Sequence, residues 1–97
     1  MLWFSWDERK AEHNLGVHGI DFLTATQVFE DPDLLLAEDR AVDGEERIHA
    51  LGLVPDRGLI LVVALYEISE DETEEHVRII SARPATRAEE VSYYRPF

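Results

Sequence analysis

Val77-Arg78-Ile79-Ile80-Ser81-Ala82-Arg83, closed by Pro84, is the stretch on which the fold turns. Val77, Ile79 and Ile80 carry two heavy atoms on Cβ, which fit a pleated strand better than a helical turn. Pro84 has no N–H to give to a ladder, so it ends the strand. Two arginines therefore sit on or at the end of a segment that otherwise reads as core. Strict alternation places Arg78 with His76, Ile80 and Ala82 on one face, and Val77, Ile79 and Ser81 on the other. Arg83 then points away from Arg78 unless the strand end twists or bulges. A guanidinium does not shed its charge, so each arginine requires water, a carboxylate or a bound anion. An edge strand paired with nearby acids and an anion site are both consistent with the stretch.

Upstream, Leu2 to Trp6 reads as a short aromatic strand. Asp7 is placed to cap a first helix, with Trp6 stapling onto Ala11, and Gly16 is expected to end it in a left-handed conformation. After a His18-Gly19 turn, Asp21 caps a second helix. There Ile20 staples onto Ala25, and Phe22, Ala25 and Phe29 form one buried stripe before Asp31-Pro32. Strand signals follow. Leu34 to Ala37 is apolar, Asp43-Gly44 marks a turn, and Glu46 to Gly52 alternates with Arg47, His49 and Leu51 on one face. Pro55-Asp56-Arg57-Gly58 is a turn. Leu59 to Tyr66 is apolar throughout, as a central strand covered on both faces would be. Glu70 to Glu75 reads as a solvated hairpin tip, and Thr86-Arg87-Ala88-Glu89 as a capping box opening a last helix to about Tyr94. The expected fold is α+β, in the order β-α-α-β-β-β-β-α. Two N-terminal helices and a C-terminal helix pack on an antiparallel, meander-like sheet in one domain spanning residues 1–97.

The 97 residues include no cysteine, which excludes disulfides and thiolate metal sites and fits a reducing compartment. The longest apolar run, Leu59 to Tyr66, is too short to span a bilayer, and the first residues lack the basic start of a signal peptide. A cytoplasmic protein without membrane association is expected. Nine Lys and Arg face 21 Asp and Glu, a net charge of −12. Residues 1–75 hold 5 basic and 19 acidic side chains, a net of −14, whereas residues 76–97 hold 4 basic and 2 acidic, a net of +2. The positive region is thus the segment that carries Arg78 and Arg83.

Neither a nucleophile elbow, a phosphate-binding glycine loop nor a zinc signature is present. His13 and His18 are five apart, a poor match for paired helical ligands, and no metal or other cofactor is expected. The remaining chemistry lies in Lys10, His18, Arg47, His49, Arg78 and Arg83. Cleaving RNA without a metal needs a base for the 2′-OH proton, cations for the phosphate and an acid for the leaving oxygen. Arginine donates two parallel hydrogen bonds to a phosphate, and histidine has a pKa of about 6.5 in its unperturbed state.

Trp6-Asp7, Lys10, Asn14, His18-Gly19, Phe22 and Val28-Phe29-Glu30-Asp31-Pro32 resemble the opening of the BrnT toxins. Glu46-Arg47 with Gly52 resembles their middle segment, and Arg78-Ile-Ile-Ser-Ala-Arg83 with Ala85, Glu89 and Tyr93 their closing one. The resemblance implies a RelE-like fold and the toxin of a type II toxin–antitoxin pair, acting as an endoribonuclease. For that activity the candidate catalytic residues are Arg47, Arg83, His18 and Arg78, and the candidate RNA contacts Lys10, His49 and Tyr93. The implied partners are RNA, a ribbon-helix-helix antitoxin similar to BrnA in a hetero-oligomer, and operator DNA reached through that antitoxin. Two features depart from the family: Val17 stands where lysine is common, and the net charge is strongly negative. They leave open an alternative, an inactive acidic module that binds the antitoxin as a repressor subunit. The acidity also predicts a net-positive antitoxin segment around Arg47, His49 and Arg83, steered by Glu45, Glu46 and the 70–75 tip.

Overall fold

The computed structural model of the chain describes residues 2–42, 45–69 and 74–95. In order they form β1 (Leu2–Ser5), α1 (Glu8–His18), α2 (Phe22–Ala25) running into a 3-10 turn (Thr26–Glu30), β2 (Leu35–Val42) and β3 (Glu45–Val54). A 3-10 turn (Pro55–Arg57), β4 (Leu59–Ser69), β5 (Glu75–Pro84) and α3 (Arg87–Tyr94) complete the fold. The five strands make one sheet in the order β1-β5-β4-β3-β2.

The α+β order matches the sequence reading, with one difference in the sheet. β2 to β5 are antiparallel neighbours, but β1 pairs with β5 in parallel, from Leu2 opposite Glu75 to Ser5 opposite Arg78. The sheet is therefore mixed, and β5 is an interior strand rather than an edge. The connection from β1 carries α1 and α2, and a parallel pair requires such a crossover. β4, the apolar run, is the middle strand, with Ile60 to Leu65 all buried.

The helix caps follow the sequence at their starts but not at one end. Asp7 Oδ1 accepts from the N–H groups of Arg9 and Lys10, and Asp21 Oδ1 from that of Thr24 at 2.6 Å. α1, however, passes through Gly16 and stops at Gly19, whose φ of 71° is the left-handed cap and whose N–H reaches the Leu15 carbonyl. Gly16 costs the helix about 1 kcal/mol relative to alanine, which the extra turn and its contacts offset. The second helix is α-helical for only four residues before tightening into the 3-10 turn. Val28 and not Phe29 is its fully buried residue, Phe29 being half-buried against Phe4.

The sheet has two faces with different coverings. On one, Phe22, Ala25 and Val28 pack on Ala50, Val54, Leu61, Val63, Leu65, Val77, Ile79 and Ala82. Burying a side chain such as Phe22 or Ile79 contributes about 1.5–3 kcal/mol. Contact is so close here that a Cβ on Gly52 would stand 2.5 Å from Val28 Cβ and 2.9 Å from its carbonyl oxygen. On the other face, α3 covers one end through Tyr93, which packs with Leu51, Ile60 and Val62. Asp31 ties the two layers together. Its Oδ2 accepts from the Leu53 N–H at 2.8 Å and from the Tyr93 hydroxyl, and its Oδ1 from the Asp33 N–H.

Val42 of β2 pairs with Glu45 of β3. The Asp43-Gly44 turn expected there lies outside the described residues, as do positions 70–73 of the acidic tip and the side chains of Glu45 and Glu46. No described helix is long and apolar enough to cross a membrane.

Candidate active site

A bulge in β5 decides where the arginines point. Ser81 pairs with Ala64 but Ile79 pairs with Leu65, so Ile80 is an extra residue with no opposite number on β4. An inserted residue reverses the alternation beyond it. Ala82 consequently joins Val77 and Ile79 in the covered core, although unbroken alternation would set it apart from them. Ser81 and Arg83 turn to the face of Arg78.

Asn14 holds that bulge in place. β1 ends beside Arg78, so the outward N–H and C=O of Ala82 have no strand neighbour on that side. The buried Asn14 carboxamide substitutes for one. Its Oδ1 accepts from Ala82 N–H at 3.0 Å, and its Nδ2 donates to the carbonyls of Ala82 at 2.8 Å and Ile20 at 2.9 Å. Leaving these groups unpaired in a buried place would cost about 1–3 kcal/mol each.

Registers of the three middle strands now set three rows across the partly open face. Ile48 pairs with Leu65, which puts Arg47 opposite Tyr66, and Tyr66 opposite Arg78, which pairs in turn with Ser5. The second row is His49, Ala64 and Ser81; the third is Leu51, Val62 and Arg83. With strands about 4.8 Å apart, the Cα atoms of Arg47 and Arg78 are roughly 10 Å from each other. Small Ala64 lies at the centre of this floor. α3 roofs the third row through Tyr93, and in the second row His49 shares a groove with Glu89 and Ser92 of α3.

The arginines differ in their company. Arg83 is held by Glu89 in a bidentate pair, Nη1 to Oε1 at 2.6 Å and Nη2 to Oε2 at 2.9 Å. Hydrogen bonding from Arg83 is the main reason that the Glu89 carboxyl is pulled down to about 2, with burial opposing it and the Thr86 N–H assisting. The same pair raises Arg83 above its ordinary value. Arg78 donates to Ser5 Oγ at 3.2 Å, and Arg47 Nε is buried without a hydrogen-bond partner among the described residues. Neither Arg47 nor Arg78 has a carboxylate partner among the described side chains.

Lys10 and His18 stand on α1, at the other margin of the floor. Together with Arg9, His13, Ile80 and Ser81 they line a cleft of about 400 Å³. Ser81 belongs both to this cleft and to the His49 row, so the two basic groups share a border. His49 also lines a groove of about 530 Å³ between β2, β3 and α3, with Ala37, Glu89 and Arg95. Tyr93 is elsewhere. Its ring is buried and its hydroxyl donates to Asp31; burial first, and then that bond, raises its pKa. It joins α3 to the sheet and is 7% exposed. Arg95, Ser81 and Ser5 adjoin the site without having been signalled by the sequence. The first stands after the last helix turn, and the serines gain their positions only from the bulge and the parallel pairing. Among the described residues no three histidines or carboxylates converge on a metal position.

This face carries Arg47 and Arg78, neither with a carboxylate partner among the described side chains, and a guanidinium can donate two parallel hydrogen bonds to a phosphate. The family described as the ribonuclease toxin, BrnT, of type II toxin–antitoxin systems matches residues 6–89. The chain belongs to this BrnT family, whose description implies a protein antitoxin as partner. No curated protein sequence matches it.

Proposed function

We propose that the chain is a metal-independent endoribonuclease whose site is the open face of the sheet. The observation that carries this reading is the bulge at Ile80, which sets Arg78, Ser81 and Arg83 beside Arg47 and His49. In this reading Arg47 and Arg78 grip the scissile phosphate. Their charges oppose the extra negative charge that develops when the neighbouring 2′-oxygen attacks phosphorus and the 5′-oxygen departs. His49 or His18 takes the 2′-OH proton, and a second protonated group supplies one to the leaving oxygen. The products would be a 2′,3′-cyclic phosphate and a free 5′-hydroxyl. Arg83, already paired with Glu89, shapes the boundary under α3 and adds positive potential at the third row. Lys10 guides the RNA along the α1 margin. Tyr93 is left out of the RNA contacts.

The antitoxin would be a ribbon-helix-helix protein that neutralises the toxin and carries it to operator DNA in a hetero-oligomer. The excess of acid over residues 1–75 favours a net-positive contact segment reaching Arg47, His49 and Arg83. Its association should slow several-fold as salt rises from about 50 to 500 mM, because the Debye length shrinks over that range. Induced expression without antitoxin tests the main reading. Growth should stop and RNA should be cut, and Arg47→Ala or Arg78→Ala should restore growth. Normal growth and intact RNA with soluble folded protein present would favour instead an inactive module that keeps the antitoxin, the reading to which the net charge of −12 points.

A further inference from the structure

The row beyond Arg78 and Ser5 is aromatic. Trp3 pairs with His76, and their rings stack with centroids 3.7 Å apart and planes 10° from parallel. Trp3 stands two residues from Ser5 on β1, and His76 two residues from Arg78 on β5. Alternation therefore puts both rings on the open face beside the Arg78 row. A hydrogen-bonded chain fixes them there: Ser5 Oγ is 2.5 Å from His76 Nε2 and accepts from Arg78 Nη1 at 3.2 Å. Trp3 remains 41% exposed, although burying an indole is one of the larger gains available to a small domain. Trp6, by contrast, is half-buried edge-on against Phe22. Trp3 lies before residues 6–89, which the family model matches.

We propose that Trp3, backed by His76, is a stacking platform for one RNA base, adjacent to the phosphate gripped by Arg78. The proposal rests on the ribonuclease reading and adds to it a subsite for an unpaired nucleotide. An indole face accepts any base, and the neighbouring guanidinium supplies the charge for the phosphate attached to that nucleotide. The aromatic row extends the arginine row outward along β1 and β5, one strand repeat of about 7 Å away. The substrate class is therefore single-stranded RNA, since a base within a duplex cannot lie flat on a side chain.

The test uses the chain of residues 1–97 and a mixed-sequence 2′-O-methyl RNA hexamer, which lacks the attacking hydroxyl and so cannot be cut, with an abasic 2′-O-methyl hexamer beside it. Trp3→Leu should weaken hexamer binding about tenfold or more, and Trp3→Phe should keep most of the affinity. The abasic oligomer should bind the unaltered chain about as weakly as the hexamer binds Trp3→Leu. In a Trp6→Phe background, where Trp3 is the sole tryptophan, the hexamer should quench its emission. Hexamer affinity within twofold of the unaltered chain in a folded Trp3→Leu variant overturns the platform and leaves the ribonuclease reading standing. An unaltered chain that binds neither oligomer overturns both. Loss of antitoxin capture in Trp3→Leu with RNA affinity intact would make the ring a protein contact, and would also overturn the proposal.

Discussion

The two faces of the sheet are built from the same strands and obey opposite rules. Under α1, α2 and their 3-10 continuation the surface is sealed, apolar and so tightly approached that position 52 admits no side chain. On the other face α3 covers the row of Leu51 and Val62, and arginine, histidine and serine stand on the rows beyond it around Ala64. Alternation makes such a division natural, because each residue that turns away from the core turns toward the other face. The division should therefore be separable by mutation, with the closed face governing stability and the open face activity.

Gly52→Ala should have the largest effect. A Cβ there meets the Val28 backbone, which cannot rotate aside, and overpacking against backbone should cost about 3 kcal/mol. Chemical denaturation should show the loss, with any residual folded protein keeping its RNA activity. Arg47→Ala and Arg78→Ala should do the reverse. Each should lower cleavage about a hundredfold, on the order of 3 kcal/mol in the transition state, while the thermal midpoint stays close to that of the unaltered chain. A collapse of the unfolding transition in both variants would mean that these arginines are structural and would erase the contrast between faces.

Asn14→Ala should blur the contrast instead. It removes three hydrogen bonds at the bulge, so stability should fall by about 2–3 kcal/mol. Activity per folded molecule should fall as well, because Ser81 and Arg83 lose the support that turns them to the open face. Measurements at low pH probe a smaller effect. The ionised form of Glu89 is favoured in the fold, since its pKa lies at about 2 against 4.5 ordinarily. Its contribution is complete above about pH 4.5 and disappears as pH falls toward 2. Screening at the half-exposed Arg83 limits it to about 1–2 kcal/mol. Glu89→Gln should flatten that part of the stability profile, measured by denaturant titration at each pH.

Much of this fold was legible in the residues. The caps at Asp7, Asp21 and Thr86, the uniformly apolar central strand and the side shared by Arg47, His49 and Leu51 all follow from local chemistry. What was hidden depends on contacts distant in sequence. Two successive isoleucines give no sign of a bulge, and Asn14 acts on Ala82 across 68 residues. Gly16 looks like a helix stop because its φ freedom permits one, yet it is Gly19 that takes the left-handed conformation and bonds back to the Leu15 carbonyl. The parallel pairing of β1 was likewise invisible, since Leu2 to Ser5 alternates equally well in either direction. Tyr93 lies in the closing motif as expected, but its surroundings are structural. Its ring fastens α3 to the sheet, and its hydroxyl goes to Asp31.

The open face, organised by the Ile80 bulge, is held to cleave RNA through this chain's own side chains. The most direct measurement is the initial rate of cleavage of a defined RNA by the purified chain in the presence of a chelator, beside an Arg47→Ala/Arg78→Ala double variant of confirmed fold. The unaltered chain should cut and leave 2′,3′-cyclic phosphate ends, and the double variant should be slower by at least about a hundredfold. No cutting by the folded, unaltered chain, or equal rates for the two proteins, would contradict the claim.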